Sequence, residues 1–312
     1  MQKINKNNFV SNLLAIFIIY ILINMVISPK FYIQQTFNGI SAWALNVLPS
    51  ILPFIFFTKI LSTTNFLEKF TKVFKKPFEK FFKVPAISSY VFLSSIISGY
   101  PIGAKVTEEL YLSNKISRND ACKILSFSST SGPMFIIGAV GAVMFNNITA
   151  GYIIFFSHVL GAFLNGFLYR NIKVKEFSSK PTTNQKNNID MNSIVLDTSL
   201  SVISVGTIIA VFFVVITSLT PIFSILPNFV AIFLSGIVEI TKGCLDIATY
   251  LPLFWATLLA TFIISFGGIS TIIQTKAMTK NIKLPVKLYV LQKFTHAVIS
   301  TIIAFLFCII CF

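Results

Sequence analysis

Short polar interruptions in an otherwise apolar chain hold the residues that could bind a small solute. The first, Ser98 to Lys105, places two glycines and a proline within eight positions, which breaks a helix and frees backbone N–H and C=O groups. A helix that restarts at Ile102 directs its N-terminal N–H groups, with their partial positive charge, into the break. Lys105 lies near that helix end, so the segment predicts an anion site, unless Lys105 only extends to a membrane surface.

A second interruption, Ser128 to Pro133, contains four hydroxyl side chains, a glycine and a proline. Backbone of this kind is tolerated in lipid only where it lines a cavity or packs against protein, so solute binding and helix packing both remain open. The segment Gly267 to Ser270, with Gln274 beyond it, has the same flexible composition later in the chain. The paired positions favour one shared site.

Ionisable residues inside apolar sequence are functional candidates, because a charge in lipid is costly. Glu239 and Lys242 occupy another interruption, which lies in the later half of the chain. Their i, i+3 spacing also allows them simply to pair with each other. His158 and His296 could relay protons near neutral pH, or they could be hydrogen-bonded packing residues.

These segments predict a substrate site rather than a catalytic centre. The predicted substrate-binding residues are Tyr100, Gly103, Lys105, Ser129, Ser131, Gly132, Glu239, Lys242, Gly267, Gly268 and Ser270. The sequence has neither a phosphate-binding glycine loop nor a nucleophile elbow, and its four cysteines lack the spacing and company of metal ligands. We therefore expect no enzymatic activity, no cofactor and no metal.

The elements that must position these residues are membrane-spanning helices. The composition, 55% hydrophobic and 11% charged over 312 residues, is far from that of a soluble chain, and runs of about 20 apolar residues recur along it. The seven predicted spans are Phe9 to Ile27, Ile40 to Leu61, Ile124 to Phe145, Gly151 to Tyr169, Ile194 to Leu219, Leu251 to Ser270 and Leu288 to Phe312. We expect the first to be a retained span, because no small-residue cleavage site follows it. Two further segments, Ala86 to Lys105 and Phe229 to Ala248, are predicted to be re-entrant or broken helices.

The net charge of +15 comes mainly from lysines in short loops between the apolar runs, a pattern typical of cytoplasmic loops. It predicts that the loops Ser62 to Val84, Asn171 to Ser193 and Thr275 to Leu284 are cytoplasmic, as is the N-terminus, and that Phe312 lies outside. This pattern accounts for the basic residues without a nucleic-acid partner. The expected partners are the lipid bilayer and a small-molecule anion, and the oligomeric state is left open.

Three matches indicate an internal repeat. Ser98-Gly99 followed by Lys105 recurs as Ser235-Gly236 followed by Lys242, an offset of 137 residues. Ile124-Leu125-Ser126-Phe127 recurs as Ile263-Ile264-Ser265-Phe266, and Phe156-Ser157-His158 as Phe294-Thr295-His296, at offsets of 139 and 138. With the predicted loop positions, the second copy has the opposite orientation. Inverted repeats bring discontinuous helices together near the membrane midplane in secondary transporters.

The quoted segments resemble a known family. At S-G-Y-P-I-G-A-K (98 to 105), S-G-P-M-F-I-I-G-A-V-G (131 to 141), S-G-I-V-E-I-T-K-G (235 to 243) and S-F-G-G-I-S (265 to 270), the chain is similar to the Gate-domain, or nucleoside-recognition, membrane proteins and in particular to the YlbJ-type sporulation integral membrane proteins. The resemblance implies an all-α polytopic fold with a core like that of the concentrative nucleoside transporters. Its parts are an N-terminal span (1–30), a first Gate-like repeat (39–170), a cytoplasmic linker (171–193) and a second, inverted repeat (194–312).

The same resemblance implies transport of dipicolinic acid into the forespore across the outer forespore membrane. Dipicolinate carries two carboxylates on one aromatic ring, and we expect one to meet Lys105 and the other Lys242, with the Ser131 and Ser270 hydroxyls nearby. Two alternatives remain: a carrier of nucleosides or other neutral solutes, and a membrane scaffold of sporulation that transports nothing.

Overall fold

The computed structural model describes residues 6–62, 64, 66–176 and 190–312, and within these ranges the chain is helical and contains no strand. The helices, three of them π-helical, are α1 Lys6–Ile27, α2 Pro29–Ala42, π1 Trp43–Val47, α3 Leu48–Ser62, α4 Phe66–Val73, α5 Lys75–Pro77, π2 Phe78–Phe82, α6 Ser88–Ser98, α7 Ile102–Leu112, α8 Arg118–Ser128, π3 Met134–Met144, α9 Ile148–Tyr169, α10 Met191–Phe223, α11 Asn228–Val238, α12 Ile240–Tyr250, α13 Leu253–Phe266, α14 Gly268–Met278 and α15 Val286–Cys311. Most of the predicted linker 171–193 lies outside the described residues, as does the start of the N-terminus.

Four helical segments of the described chain are long and apolar enough to cross a membrane: Ile148–Tyr169, Met191–Phe223, Leu253–Met278 and Val286–Cys311. A fifth is added if Ser11–Ile27 and Pro29–Val47, which meet at a bend of 110°, count as one broken span. Large apolar side chains of α1 lie exposed, as a lipid-facing helix requires. The predicted all-helical, polytopic class is confirmed.

Three predicted spans differ from the structure. Ile40 to Leu61 is divided between Pro29–Val47, which belongs to the bent pair, and Ile51–Leu61, which is shorter than a candidate span. The other two differ at their glycines and prolines. The segment Ile124 to Phe145 is not one helix, because α8 ends at Ser128 and π3 begins only at Met134. The span predicted to end at Ser270 continues through Gly267 to Met278. In both places the sequence indicates a break, but it does not indicate whether the span ends at the break or continues past it.

Several helices recur in the same order and with similar lengths in the two halves of the chain, although α4, α5 and π2 have no counterpart between α10 and α11. The pair α6/α7 consists of two 11-residue helices, and so does the pair α11/α12. The pair α8/π3, of 11 and 11 residues, corresponds to α13/α14, of 14 and 11. The pairs α6/α7 and α11/α12 are called hairpins, and a long helical element precedes each of them. In the first half this element is α2, π1 and α3, which follow one another without a gap, and in the second half it is the 33-residue α10. After each set comes a long helix, α9 or α15.

Contacts repeat along with the helices. Gly99, between α6 and α7, lies against Gly132 before π3, and Gly236 in α11 lies against Gly268 at the start of α14. The corresponding helices α9 and α15 pack along each other in opposite directions. Equivalent elements that run antiparallel are what an inverted repeat produces.

The lysine-rich loops lie on one face of the helix bundle. Lys83 donates a hydrogen bond from Nζ to Oδ1 of Asn171 at 2.7 Å, which joins the first loop to the second. The buried guanidinium of Arg118 donates to the carbonyl oxygens of Ile282 and Lys283 at 2.8 and 2.7 Å, and to that of Lys175, which joins the second loop to the third. From this face the 26-residue α15 rises about 39 Å at ~1.5 Å per residue, so Phe312 ends on the other side.

Candidate functional site

Four helix breaks, at residues 99–101, 129–133, 239 and 267 and called here the first to the fourth break, meet around one cavity of about 70 Å³. The first break contributes Ser98 and Tyr100, the second Ser131, the third Glu239 and Thr241, and the fourth Ser270 and Thr271, while apolar side chains of π1, α3 and α10 close the remaining wall. The two copies of the repeat therefore bring their discontinuous helices to a single place, as the sequence predicted.

The first two breaks pack so closely that glycine is required. Gly99 has a φ of +72°, and a Cβ on it would lie 2.5 Å from the backbone nitrogen of Gly132. A Cβ on Gly103 would overlap the carbonyl oxygen of Ser128. Gly103, predicted to bind substrate, thus lets α7 pack against the end of α8, whereas Gly132 borders the cavity directly.

The fourth break reaches across to the first. Gly267 and Gly268 both have positive φ, of +90° and +66°. A Cβ on Gly267 would lie 3.1 Å from the Tyr100 hydroxyl. Because Gly267 has no side chain, the Tyr100 side chain can lie between the first and the fourth break.

Glu239 caps its own helix. Its side chain accepts a hydrogen bond from the backbone N–H of Lys242 at 2.8 Å, so the carboxylate lies at the positive N-terminus of α12 and borders the cavity. The corresponding helix α7 begins after Pro101 with no side-chain cap and no acidic residue in its first turn. The two hairpins therefore present opposite electrostatic ends to the cavity.

The two repeat-related lysines lie away from this cavity. Lys105 pairs with Asp197 of α10 at 3.3 Å, and Lys59 of α3 pairs with the same carboxylate at 3.3 Å. Lys242 pairs with Asp246 one turn along α12, rather than with the Glu239 carboxylate, and borders a second cavity of about 440 Å³ between α2, α10, α11 and α12. Within the described chain, neither Lys105 nor Lys242 borders the cavity at the four breaks.

Lys293 of α15 was missed in the sequence. Its side chain is 2% exposed and donates to the Tyr100 hydroxyl and, at 2.7 Å, to the carbonyl oxygen of Ser129, which ties α15 to the first and second breaks. A lysine inside the run Leu288 to Phe312 is an intramembrane ionisable group and could have been found by that rule alone. The internal repeat instead singles out Lys105 and Lys242, because they recur in both halves.

The histidines lie in the packed interior next to the site. His158 accepts a hydrogen bond at Nε2 from the Ser131 N–H at 2.9 Å and contacts the Ser265 hydroxyl through Nδ1 at 2.8 Å. His296 donates from Nε2 to the carbonyl oxygen of His158 at 2.9 Å. Both rings belong to a hydrogen-bond network that reaches the second break through Ser131. Buried hydroxyls at Ser98 and Thr130 have no hydrogen-bond partner among the described residues, so polar capacity remains at the breaks.

The fold and the site define a class: a multi-span α-helical membrane protein with repeated, discontinuous helices around an internal cavity. A comparison with curated proteins finds 33% identity over 165 residues to the sporulation integral membrane protein YlbJ of Bacillus subtilis (strain 168). The match covers 53% of this chain and 40% of that relative's own length. The predicted resemblance to the YlbJ-type sporulation integral membrane proteins is thereby confirmed.

Other comparisons add no family or fold. No protein-family model matches the sequence, and no solved structure matches it. The Gate-domain assignment and the likeness to concentrative nucleoside transporters therefore stay predictions.

Proposed function

We propose that this chain is a membrane transporter that carries a small organic acid, dipicolinate in particular, through the cavity at the four helix breaks. The observation that carries the proposal is the meeting of all four breaks around one cavity. Broken helices leave backbone groups without intrahelical partners, and at membrane depth such groups are tolerated where they line a water-filled cavity or are buried against protein. Secondary transporters place such breaks at their solute sites. A scaffold has no use for four such breaks at one point.

Hydrogen-bonding capacity in the cavity suits a polar solute. Hydroxyls of Ser131 and Ser270 face it from opposite repeats, and the uncapped start of α7 offers a partial positive charge. A carboxylate accepts hydrogen bonds from both kinds of donor.

Size indicates that solute entry requires movement. A cavity of about 70 Å³ holds a few waters, whereas a benzene ring occupies an engineered cavity of ~150 Å³. Dipicolinate is larger than benzene, so the hairpins α6/α7 and α11/α12 must separate from their neighbours to admit it. The lysines outside the cavity then act as cations near two mouths of the path, Lys105 with Lys59 on the face of the lysine-rich loops and Lys242 at the larger cavity.

The relative is named a sporulation integral membrane protein, which supports a role in sporulation. In this proposal the transporter lies in the outer forespore membrane and carries dipicolinate towards the forespore. The N-terminus and the lysine-rich face are cytoplasmic in this proposal, following the lysine distribution.

A carrier of neutral solutes such as nucleosides is the second candidate. Glu239 borders the cavity and disfavours anions near it, while Lys105 and Lys242 stand outside. With a carboxylate at the cavity and both of these lysines outside it, the arrangement favours a neutral solute over an anion.

Uptake into proteoliposomes tests the proposal. Liposomes with the purified chain should accumulate labelled dipicolinate above protein-free liposomes, with saturation and with competition by unlabelled dipicolinate but not by uridine. Uptake of labelled uridine without dipicolinate would establish the second candidate instead. No uptake of either solute, by a chain shown to be folded and inserted, would contradict transport and favour a scaffold.

A further inference from the structure

Lys293 is a buried amine with no acidic partner in the described chain. Its side chain is 2% exposed, and no described carboxylate lies within ion-pair distance of its ammonium. Its partners are two neutral oxygens, the Tyr100 hydroxyl and the Ser129 carbonyl. Burying an ammonium without a negative partner is strongly unfavourable, and such residues inside membrane spans mark solute paths.

The Tyr100 hydroxyl links the Lys293 side chain to the cavity. Tyr100 borders the cavity, and its ring centroid lies 4.9 Å from Lys293 Nζ. Because the hydroxyl accepts a hydrogen bond from Lys293, its own proton is available for another acceptor. Gly267 makes room for this pair, since a Cβ there would lie 3.1 Å from the hydroxyl and 3.3 Å from Lys293 Cε.

The two sides of the cavity therefore differ: Tyr100, with Lys293 behind it, lies on one side and the Glu239 side chain on the other. Lys293 and Tyr100 lie at the first break, while the Glu239 carboxylate lies at the third, where it is held by the first turn of α12. A negatively charged group of a solute is attracted to the first side and repelled by the second, so the solute has a preferred orientation.

We propose that Lys293, together with the Tyr100 hydroxyl, recognises a carboxylate of the solute and makes the carrier selective for organic acids over their neutral amides. The carboxylate accepts a hydrogen bond from the Tyr100 hydroxyl and supplies the negative charge that a protonated Lys293 requires. Hydrogen bonds between charged groups are stronger than neutral ones, and an uncharged amide of the same shape gains none of the charge compensation. This inference rests on the proposed transport function and names the chemical group that its site selects.

Binding to the purified chain in lipid nanodiscs tests the inference, with dipicolinate and its neutral isostere pyridine-2,6-dicarboxamide as probes. The wild type should bind the diacid about 10-fold or more tightly than the diamide. Lys293→Met should abolish that preference by weakening diacid binding alone, and Tyr100→Phe should reduce it. Lys287→Met is the matched control, because Lys287 lies exposed on the same helix, and it should bind both probes like the wild type.

Outcomes separate this inference from the transport proposal. An unchanged diacid preference in a folded Lys293→Met chain would overturn the inference and leave transport standing. If that variant does not fold, Tyr100→Phe decides, and full retention of the preference there overturns the inference too. A wild type that binds diacid and diamide equally also overturns it, whereas a wild type that binds neither probe and transports neither overturns both proposals.

Discussion

His158 and His296 stand 138 residues apart in the chain and lie with their ring centroids 4.7 Å apart. They occupy equivalent positions of the two repeats, and residues related by a two-fold axis can touch each other only beside that axis. The predicted inverted repeat therefore requires its pseudo-two-fold axis to pass between α9 and α15 at this pair. The second break lies directly next to it, through the hydrogen bond from Ser131 to His158.

The histidine pair contributes unequally to stability. His158→Phe removes the acceptor of the Ser131 N–H and the partner of the Ser265 hydroxyl, and leaving buried groups unpaired costs about 1–3 kcal/mol. His296→Phe removes one donor to a carbonyl oxygen and keeps a ring in contact. Thermal unfolding of the detergent-purified chains should give a lower midpoint for His158→Phe than for His296→Phe. The reverse order would contradict the network described here.

The repeat, the breaks and the shared face of the loops could be predicted from the sequence, because each depends on a local signal. Gly-Pro clusters break helices wherever they occur, and lysines between apolar runs mark one side of a membrane. The pairing of charges could not be predicted in the same way. Asp197 reaches Lys105 from the other half of the chain, and no spacing in the sequence announces such a contact.

Backbone conformation at the first break should limit stability as strongly as side-chain contacts. Gly99→Ala places a Cβ against Gly132 at φ +72° and ψ −164°, a backbone region essentially limited to glycine that costs other residues about 1–3 kcal/mol even without a clash. The unfolding midpoint should fall by several degrees and uptake should be lost. Gly138→Ala is the matched control, because a Cβ there meets only the Met134 side chain, at 3.8 Å. Equal midpoints for the two variants would show that the close approach of the breaks is not required.

Asp197 connects the hairpin α6/α7 to α10 on the face of the lysine-rich loops. Its side chain is 55% exposed, so its pairs with Lys59 and Lys105 each contribute only about 0.2–1 kcal/mol, and salt should weaken them. In Asp197→Asn we expect a small loss of stability at low salt that disappears at high salt. Asp246→Asn is a control from the other hairpin, since the described contacts of its side chain, with Lys242 and with the Ser235 hydroxyl, stay within the pair α11/α12.

Transport should respond to Asp197 more than stability does. Opening of the path on this face requires that α6/α7 release α10, so Asp197→Asn should change the uptake rate while Asp246→Asn changes it less. Identical rates in wild type and Asp197→Asn would mean that this contact is not broken during transport.

Placement of Lys293 shows why a site is harder to predict than a fold. The repeat pointed to Lys105 and Lys242 because they recur, whereas Lys293 has no counterpart at the corresponding position of α9, where Phe155 stands. A substrate breaks the symmetry of a repeated fold, so its specific contacts need not recur. The recurring residues describe the scaffold, whereas Lys293 adds a buried amine that has no counterpart in the other half.

The central claim, that a solute passes through the cavity at the four breaks, is tested most directly by a cysteine at Ser270 in a Cys311→Ser background. Ser270 is 1% exposed and borders the cavity, while Ser157, equally buried on α9, provides the control position. A small hydrophilic thiol reagent should modify Ser270→Cys and stop dipicolinate uptake, excess dipicolinate should slow the modification, and Ser157→Cys should stay unmodified. Full uptake by a modified Ser270→Cys chain, or modification at a rate that dipicolinate leaves unchanged, would contradict the claim.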